Sequence, residues 1–357
     1  MVTKDMRTIG TSAYGIRTPL IKEGDDLEKI VVESVVNSGL EHKDKDIVGM
    51  TESLVARTQR NFVSLDIVAK DVVSKFGDIE IGVVHPIFSR NRFSLILRAV
   101  AQGVKKVYVL LNEETDEVGN SVLNPYTGID IKKYYESLSD NIEVIHSNDP
   151  TKILNYTHNV LVASIHNRFK NKEIIEAAAT GQSITIHTLS DIMTESIDGS
   201  GYNPEYGLLG SNYSTEQQLK LFPRDCWNIV DRIQIKLKEA TGKNIEVIIY
   251  GDGAFKDPAC GIWELADPVV SPGFTKGLRG TPSEIKLKFL LDQHKMSDEQ
   301  VIEKLKEKNA SQHESLGTTP RQIPDLVGSL CDLVSGSGDK GTPVVYIQGY
   351  FDNYSSE

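Results

Sequence analysis

Short runs rich in Val and Ile alternate with amphipathic helical stretches through most of this chain, and that alternation limits the fold more than any other feature. Strand-like runs stand at 79–86 (I-E-I-G-V-V-H-P), 105–111 (K-K-V-Y-V-L-L), 141–146 (N-I-E-V-I-H), 159–165 (N-V-L-V-A-S-I) and 183–188 (S-I-T-I-H-T). Helical segments at 92–102 and near 130–138 and 170–180 separate some of them. Such a pattern predicts an α/β fold, with a mixed or mostly parallel sheet covered by helices.

With 357 residues, 39% hydrophobic and 25% charged, the chain has the composition of a soluble globular protein and the length for two or three domains. Its formal net charge of -11 argues against sequence-independent binding to nucleic acid or to an anionic membrane, and leaves room for a local basic pocket that takes a nucleotide. Cys226, Cys260 and Cys331 are odd in number and lack C-x-x-C spacing, which points to a reducing compartment and away from a zinc site. The N-terminal stretch lacks the apolar core of a secretory signal, and no apolar run approaches the roughly 18 residues of a membrane span. The expected location is the cytoplasm.

A helix is predicted from Asp25 to near Gly39. Leu27, Ile30, Val31, Ser34 and Val35 share one face, and Asp25 with Glu28 reads as a capping box. Residues 46–61, D-I-V-G-M-T-E-S-L-V-A-R-T-Q-R-N, start as a strand and leave it in a polar segment. There Thr51, Ser53, Arg57 and Arg60 either offer hydroxyl and guanidinium groups to phosphate oxygens or form a solvated turn. A helix over 62–75 follows. His85 and Asn91 stand at the end of the next strand, a place where histidine is more often a structural hydrogen-bonder than a ligand or base. Two turn-rich stretches, 112–128 and 198–213, have the length of loops that close over substrates. A helix over 225–240 leads into the C-terminal third.

The run I-E-V-I-I-Y-G-D-G-A-F-K-D-P, 245–258, reads as a buried strand broken off by Gly251, Asp252 and Gly253. A carboxylate at the C-terminal edge of a sheet, with glycines giving the backbone room, suits a hard cation such as Mg²⁺ or Mn²⁺ held against a phosphate. The same three residues also suit a tight turn. Prolines and glycines then predict irregular chain over most of 259–282, where Glu264 and Asp267 either share the cation, and Lys276 and Arg279 meet phosphate or carboxylate, or any one of the four is plain surface. Helices are predicted over 283–294, 297–308 and 320–333, with a last strand at 342–350. Between them S-G-S-G-D-K-G, 335–341, gathers three glycines, serine hydroxyls, Asp339 and Lys340. Closely spaced backbone N–H groups in such a turn form an anion-binding concavity. It is not a Walker A loop, because the helix precedes the turn and a strand follows it.

These pieces, in this order, resemble the coenzyme F(420)-0:L-glutamate ligase family, the deazaflavin-cofactor gamma-glutamyl ligases. P-L-I-K-E-G-D-D-L is similar to the family's opening motif, and D-I-V-G-M-T-E-S-L-V-A-R-T-Q-R to its strand and Ser-Lys-x-Glu-Gly-Arg segment. The 245–258 run is similar to its strand and S-D-T-x-G-R-P motif. D-L-V-G-S-L-C-D-L-V-S-G-S-G-D-K-G-T-P-V-V-Y-I-Q-G resembles its closing helix, glycine turn and strand. The resemblance covers residues 10–92 and 245–350. It implies mixed sheets covered by helices, with residues 1–93 and 245–357 forming a ligase-like core around an enlarged α/β middle region at 94–244.

The resemblance also implies a ligase dependent on GTP (or ATP) and on Mg²⁺ or Mn²⁺. Such an enzyme joins L-glutamate or a similar amino acid to a small-molecule carboxylate through an acyl phosphate; it is a homodimer and binds neither nucleic acid nor membrane. By position, Asp252 stands for the family's metal-binding aspartate, and Arg57 falls near its phosphate-contacting lysine. Glu52 and Ser53 lie where the family has nucleotide contacts, and Gly336, Ser337, Gly338, Asp339, Lys340 and Gly341 match its nucleotide-binding turn. Ser337 replaces a glutamate metal ligand of that turn, with Asp339 two residues on as the substitute ligand. In P-I-F-S-R-N-R, 86–92, the family's Asp-x-x-Asn motif keeps only Asn91. This depleted metal set motivates an alternative, a nucleotide- or metabolite-binding homologue that acts as a sensor without catalysis.

Overall fold

Runs that are apolar at every position, such as Ile47–Met50 and Val344–Ile347, are satisfied only in a sheet covered on both faces, and the first sheet of the molecule provides that environment. The computed structural model describes residues 8–356 apart from 90–91, 117–118, 164–167, 181–182, 257–259, 283, 293, 307–320, 337 and 354. The N-terminal elements are β1 (Ser12–Ile16), α1 (Leu27–Val36), β2 (Ile47–Thr51), α2 (Glu52–Thr58), β3 (Phe62–Ser64) and α3 (Leu65–Phe76). Next come β4 (Glu80–Val84), α4 (Arg92–Gly103), β5 (Lys106–Leu111), α5 (Ile131–Glu136), β6 (Ile142–His146), β7 (Asn159–Val162), α6 (Arg168–Ala179) and β8 (Thr185–Thr188). The chain continues through β9 (Asn212–Thr215), β10 (Gln218–Lys220), α7 (Cys226–Thr241), β11 (Glu246–Lys256) and β12 (Trp263–Phe274). It closes with α8 (Leu287–Asp292), α9 (Asp298–Lys306), α10 (Ile323–Ser335) and β13 (Val344–Gln348).

The first sheet has the order β1-β13-β2-β11-β12, and within it only β2 and β11 run parallel. Successive side chains of its strands point to opposite faces, and each face meets helices. On one face Val48, Met50, Val247, Ile249, Val344 and Tyr346 pack with Val31 and Val35 of α1 and Ile229, Ile233 and Leu237 of α7. On the other, Ile47, Ile248, Tyr250, Val345 and Ile347 pack with Ile323, Val327 and Cys331 of α10. The helix approaches closely because position 49 is glycine: a Cβ there would overlap the Cys331 sulfur.

The second sheet has the order β6-β5-β4-β7-β8, parallel throughout. The strands run outward from β4 to β6, and the chain then returns to place β7 on the other side of β4. A third, antiparallel sheet, β3-β10-β9, links this unit to the first. The architecture is the α/β class of mixed sheets covered by helices that the alternation predicts.

Local expectations fail where pairing overrides propensity. Asp26, not Asp25, caps α1, accepting from the Lys29 amide at 3.0 Å, while Asp25 accepts from Lys22 N at 2.6 Å. The polar segment after β2 is a helix, α2. Phe62–Ser64, expected to open a helix, is a strand paired with β10, and Ser64 caps α3 instead. β11 does not stop at Gly251; it continues through Asp252 to Lys256 against β12, with register shifts on both sides of Gly251. β12 is a strand despite Pro268 and Pro272 because it lies at the sheet edge, where a missing N–H breaks no second ladder.

The expected loop at 198–213 is part of the core rather than a flap. Buried Asn203 donates to Phe222 O at 3.0 Å and Pro223 O at 3.2 Å and accepts from the amides of Glu205 and Tyr206, while Gly201 N donates to Phe62 O at 2.8 Å. The 112–128 loop is likewise tied down: buried Asp116 accepts from Asn120 N at 2.7 Å and from Phe88 N at 2.8 Å, across to the loop that follows β4.

α1 and α7 are joined at the surface by Glu28, which pairs with Arg232 at 2.6 Å and Lys236 at 2.7 Å. Burial pushes the Glu28 pKa up, but the hydrogen bonds from Lys236 and Arg232 outweigh it, and the net shift is downward. A folded-state pKa below the unfolded one stabilises above the ordinary glutamate range and is lost as pH falls through the lowered value. Glu28→Gln is therefore expected to cost about 1 kcal/mol at neutral pH, the scale of two partly exposed pairs. Urea unfolding at neutral and strongly acidic pH checks this, since the difference from the parent protein should vanish in acid.

Candidate active site at the edge of the first sheet

Three segments far apart in sequence reach one edge of the first sheet because of strand register. Thr51, the last residue of β2, sits opposite Tyr250 of β11, which leads directly into Gly251 and Asp252. On the other flank Met50 pairs with Val344, and Thr51 N donates to Pro343 O at 3.2 Å, so the glycine turn before β13 ends beside the same residue. Glu52 and Ser53, which open α2, the Gly251–Asp252 step and the end of the glycine turn, which leads into Pro343, thus come to one edge. Their type suits it: oxygen acceptors, a hydroxyl and exposed backbone N–H groups are what a phosphate and its counter-ion require.

The centre of this edge is an ion pair. Glu52 and Lys220, the last residue of β10, are both buried, and the Lys220 ammonium donates to Glu52 Oε1. Lys220 also donates to Ser53 Oγ at 2.7 Å, and Ser53 Oγ lies 3.2 Å from Glu52 Oε1, to which it donates. The exposed Ser53 hydroxyl is therefore oriented from two sides. Glu52 fits because residue 251 is glycine: a Cβ at that position would overlap Glu52 Cγ.

The surroundings are held tightly. At the C-terminal end of α2, Gln59 and Arg224 exchange hydrogen bonds, side-chain amide to Arg224 O at 2.6 Å and Arg224 N to the amide oxygen at 2.9 Å. Buried Asn61 donates to Phe222 O at 2.7 Å, and the Arg224 guanidinium, 4.6 Å from the Tyr202 ring, donates to Asn61 and to Tyr202 O at 2.9 Å. Cys226, at the start of α7, is buried; burial first, and then the nearby Glu52 charge, push its thiol up to about 12 and hold it in the thiol form. On the opposite face the Tyr250 hydroxyl is buried near Ser335, and burial raises its pKa.

Of the other residues singled out by sequence, Arg57 is exposed one turn beyond Ser53 on the same face of α2. Gly336 ends α10 with φ 60°, Gly338–Lys340 form a 3₁₀ turn with Asp339 and Lys340 exposed, and Gly341 has φ 65°. The Lys340 ammonium folds back over Gly336, 2.7 Å from where a Cβ would stand. Asp252 is placed at the edge by its main chain; its side chain, those of Glu264 and Asp267, and all of Asn91 and Ser337 lie outside the described residues.

Lys276 and Arg279 are at the far end of β11, because Phe274 pairs with Ile248 and Gly277 N donates to Glu246. His85 belongs to the second sheet, buried after β4 with φ 55°. Sequence reasoning missed Lys220 altogether. Its signal is a lysine inside the apolar run Leu219–Phe222, a setting in which a cation needs a buried partner.

A family model described as F420-0:Gamma-glutamyl ligase matches residues 15–349. The chain belongs to this family. The gamma-glutamyl ligase match takes in the second, parallel sheet as well as the two segments that carry the motifs. Over 51 residues the chain is also 41% identical to Uncharacterized protein MJ1361 of Methanocaldococcus jannaschii, a stretch that covers 14% of this chain and 18% of that relative.

Removing one member of a buried pair leaves the other charge stranded. Lys220→Met is expected to lose about 3–5 kcal/mol of stability, and adding Glu52→Gln to recover most of it. Urea unfolding of both single variants and the double variant measures this coupling.

Proposed function

We propose that this gamma-glutamyl ligase family member is a nucleotide- and divalent-metal-dependent carboxylate–amine ligase, adding L-glutamate or a similar amino acid to a small-molecule carboxylate. The observation that carries the reading is the Glu52–Lys220–Ser53 network seated against Gly251, at the edge where the glycine turn and the Asp252 segment also arrive. A carboxylate is a poor acyl donor because oxide is a poor leaving group. In the proposed reaction a carboxylate oxygen attacks the γ-phosphorus of GTP or ATP, the bond to the β,γ-bridging oxygen breaks, and the nucleoside diphosphate departs. The amine nitrogen then attacks the acyl carbon, the C–O bond breaks, phosphate leaves with the electron pair, and the nitrogen gives up a proton to water.

Ser53, held by Lys220 and Glu52, and Arg57 on the same face of α2 would contact phosphate oxygens, with the backbone N–H groups of 338–341 and Lys340 on the other flank. Glu52 is engaged with Lys220, and the reading assigns a hard cation at this edge to Asp252 with Asp339 as the second carboxylate. Oxygen donors of this kind fit Mg²⁺ or Mn²⁺, whose bound charge would neutralise developing charge on the phosphates. Among the described residues no three His, Cys, Asp or Glu side chains converge. The second reading, a sensor that binds nucleotide without turnover, rests on Ser337 in place of the family's glutamate and on Asn91 as the remnant of its Asp-x-x-Asn motif. The proposal includes a cytoplasmic homodimer; no described helix is long and apolar enough to cross a membrane.

Calorimetry with Mg²⁺-GTP and Mg²⁺-ATP tests the reading. The parent protein should bind one of them, and Asp252→Ala and Arg57→Ala should each weaken binding about tenfold or more, the worth of one charge-assisted contact. Absence of binding by the parent protein would sink the proposal. Binding with no phosphate release across a panel of carboxylates and amino acids would decide for the sensor.

A further inference from the structure

Away from that edge, α4 beside the second sheet carries an arginine with no ion-pair partner among the described residues. Arg98 of α4 is largely covered, its Nη2 donates to Glu216 O and to Gln217 Oε1 at 3.2 Å, and its Nε is buried without an acceptor. No carboxylate pairs with this guanidinium among the described residues, although the protein is strongly acidic overall. A covered cation with unmade hydrogen bonds is costly unless an anion completes it.

Arg98 lines a cavity of about 390 Å³, within the size range of small-molecule sites. Its other walls are Ser94 and Glu216, the two tyrosines Tyr134 and Tyr213, and the aliphatic Leu95, Ile129 and Leu138. We propose that this cavity is a binding site for a small monocarboxylate with an apolar body, the carboxylate meeting Arg98 and the body lying among the tyrosine rings and aliphatic side chains. One guanidinium balances one negative charge. Glu216 lines the same cavity, so a phosphate or dicarboxylate would carry surplus charge toward a carboxylate. The elements involved are fixed in place rather than mobile: α4 packs on α3, β9 and β10, and the Tyr135 hydroxyl of α5 donates to Ile87 O at 2.8 Å and accepts from Ser89 N at 3.0 Å. This inference does not depend on the ligase reading, since the cavity is built from residues that the edge site does not use.

Benzoate is the probe, with benzamide as its uncharged analogue, followed by saturation-transfer NMR and by a shift in melting temperature on the full-length protein. Benzoate should bind saturably and benzamide should not. Arg98→Gln should weaken benzoate about tenfold or more, and Leu138→Trp, which keeps the arginine and fills the cavity, should abolish binding while the far-ultraviolet circular dichroism stays that of the parent. The proposal is overturned if benzamide binds as well as benzoate, if Leu138→Trp binds benzoate unchanged, or if the parent shows no saturable signal up to about 10 mM, well above the millimolar range of weak ligands. These readouts do not involve nucleotide, so their failure is distinct from failure of the ligase proposal.

Discussion

The parallel pairing of β2 with β11 is the constraint on which the rest of the molecule rests. It joins residues about two hundred positions apart, Glu246 with Ile47 through Tyr250 with Thr51, and sets them between β13 and β12. A slip of one residue would turn Ile248 and Tyr250 away from α10 and bury the wrong set against α1 and α7. Because both faces are covered, the register is strongly specified. The ends of the strands then have no freedom in where they deliver Glu52, the glycine turn and Asp252.

At that edge the molecule buries charge, and the physics of doing so is informative. Taking Glu52 and Lys220 out of water carries a desolvation penalty that their attraction does not reliably exceed, so an apolar pair would serve stability as well. What the pair does supply is orientation: it fixes the Ser53 hydroxyl and ties β10 of the small third sheet to the start of α2 in the first. Gly251 is the matching concession in the backbone, trading conformational freedom for the space that Glu52 occupies.

The second sheet follows different rules. Its strands are parallel and buried on both faces, Val107, Val109 and Leu161 on the α3–α4 side and Val84, Leu110 and Val162 on the side of α6. The loop after β4 is held by two buried groups, Asp116 and Tyr135, which accept from the Phe88 and Ser89 amides. Arg98, largely covered and without an ion-pair partner among the described residues, stands out against this thrift, which is why it reads as half of an interaction.

Much of this was legible from residues alone. The Val- and Ile-rich runs marked β4 to β8 and the start of β11, the helix expected over 320–333 is α10, and the motifs pointed to the family. These signals are local, written in periodicity and turn chemistry over a few residues. Partner choice is not local. Lys220 belongs to a three-residue strand, and its partner Glu52 is 168 positions away, so nothing near it announces an ion pair. β12 carries prolines and glycines that read as irregular chain, and only its place at a sheet edge makes it a strand. The 198–213 segment looks like a flap by composition and is locked by Asn203. The sequence by itself determined the family and the α/β class. Only the tertiary structure decided that Glu52 and Ser53 are held by a buried lysine, because the free energy of burying a charge depends on what the fold brings to its other side.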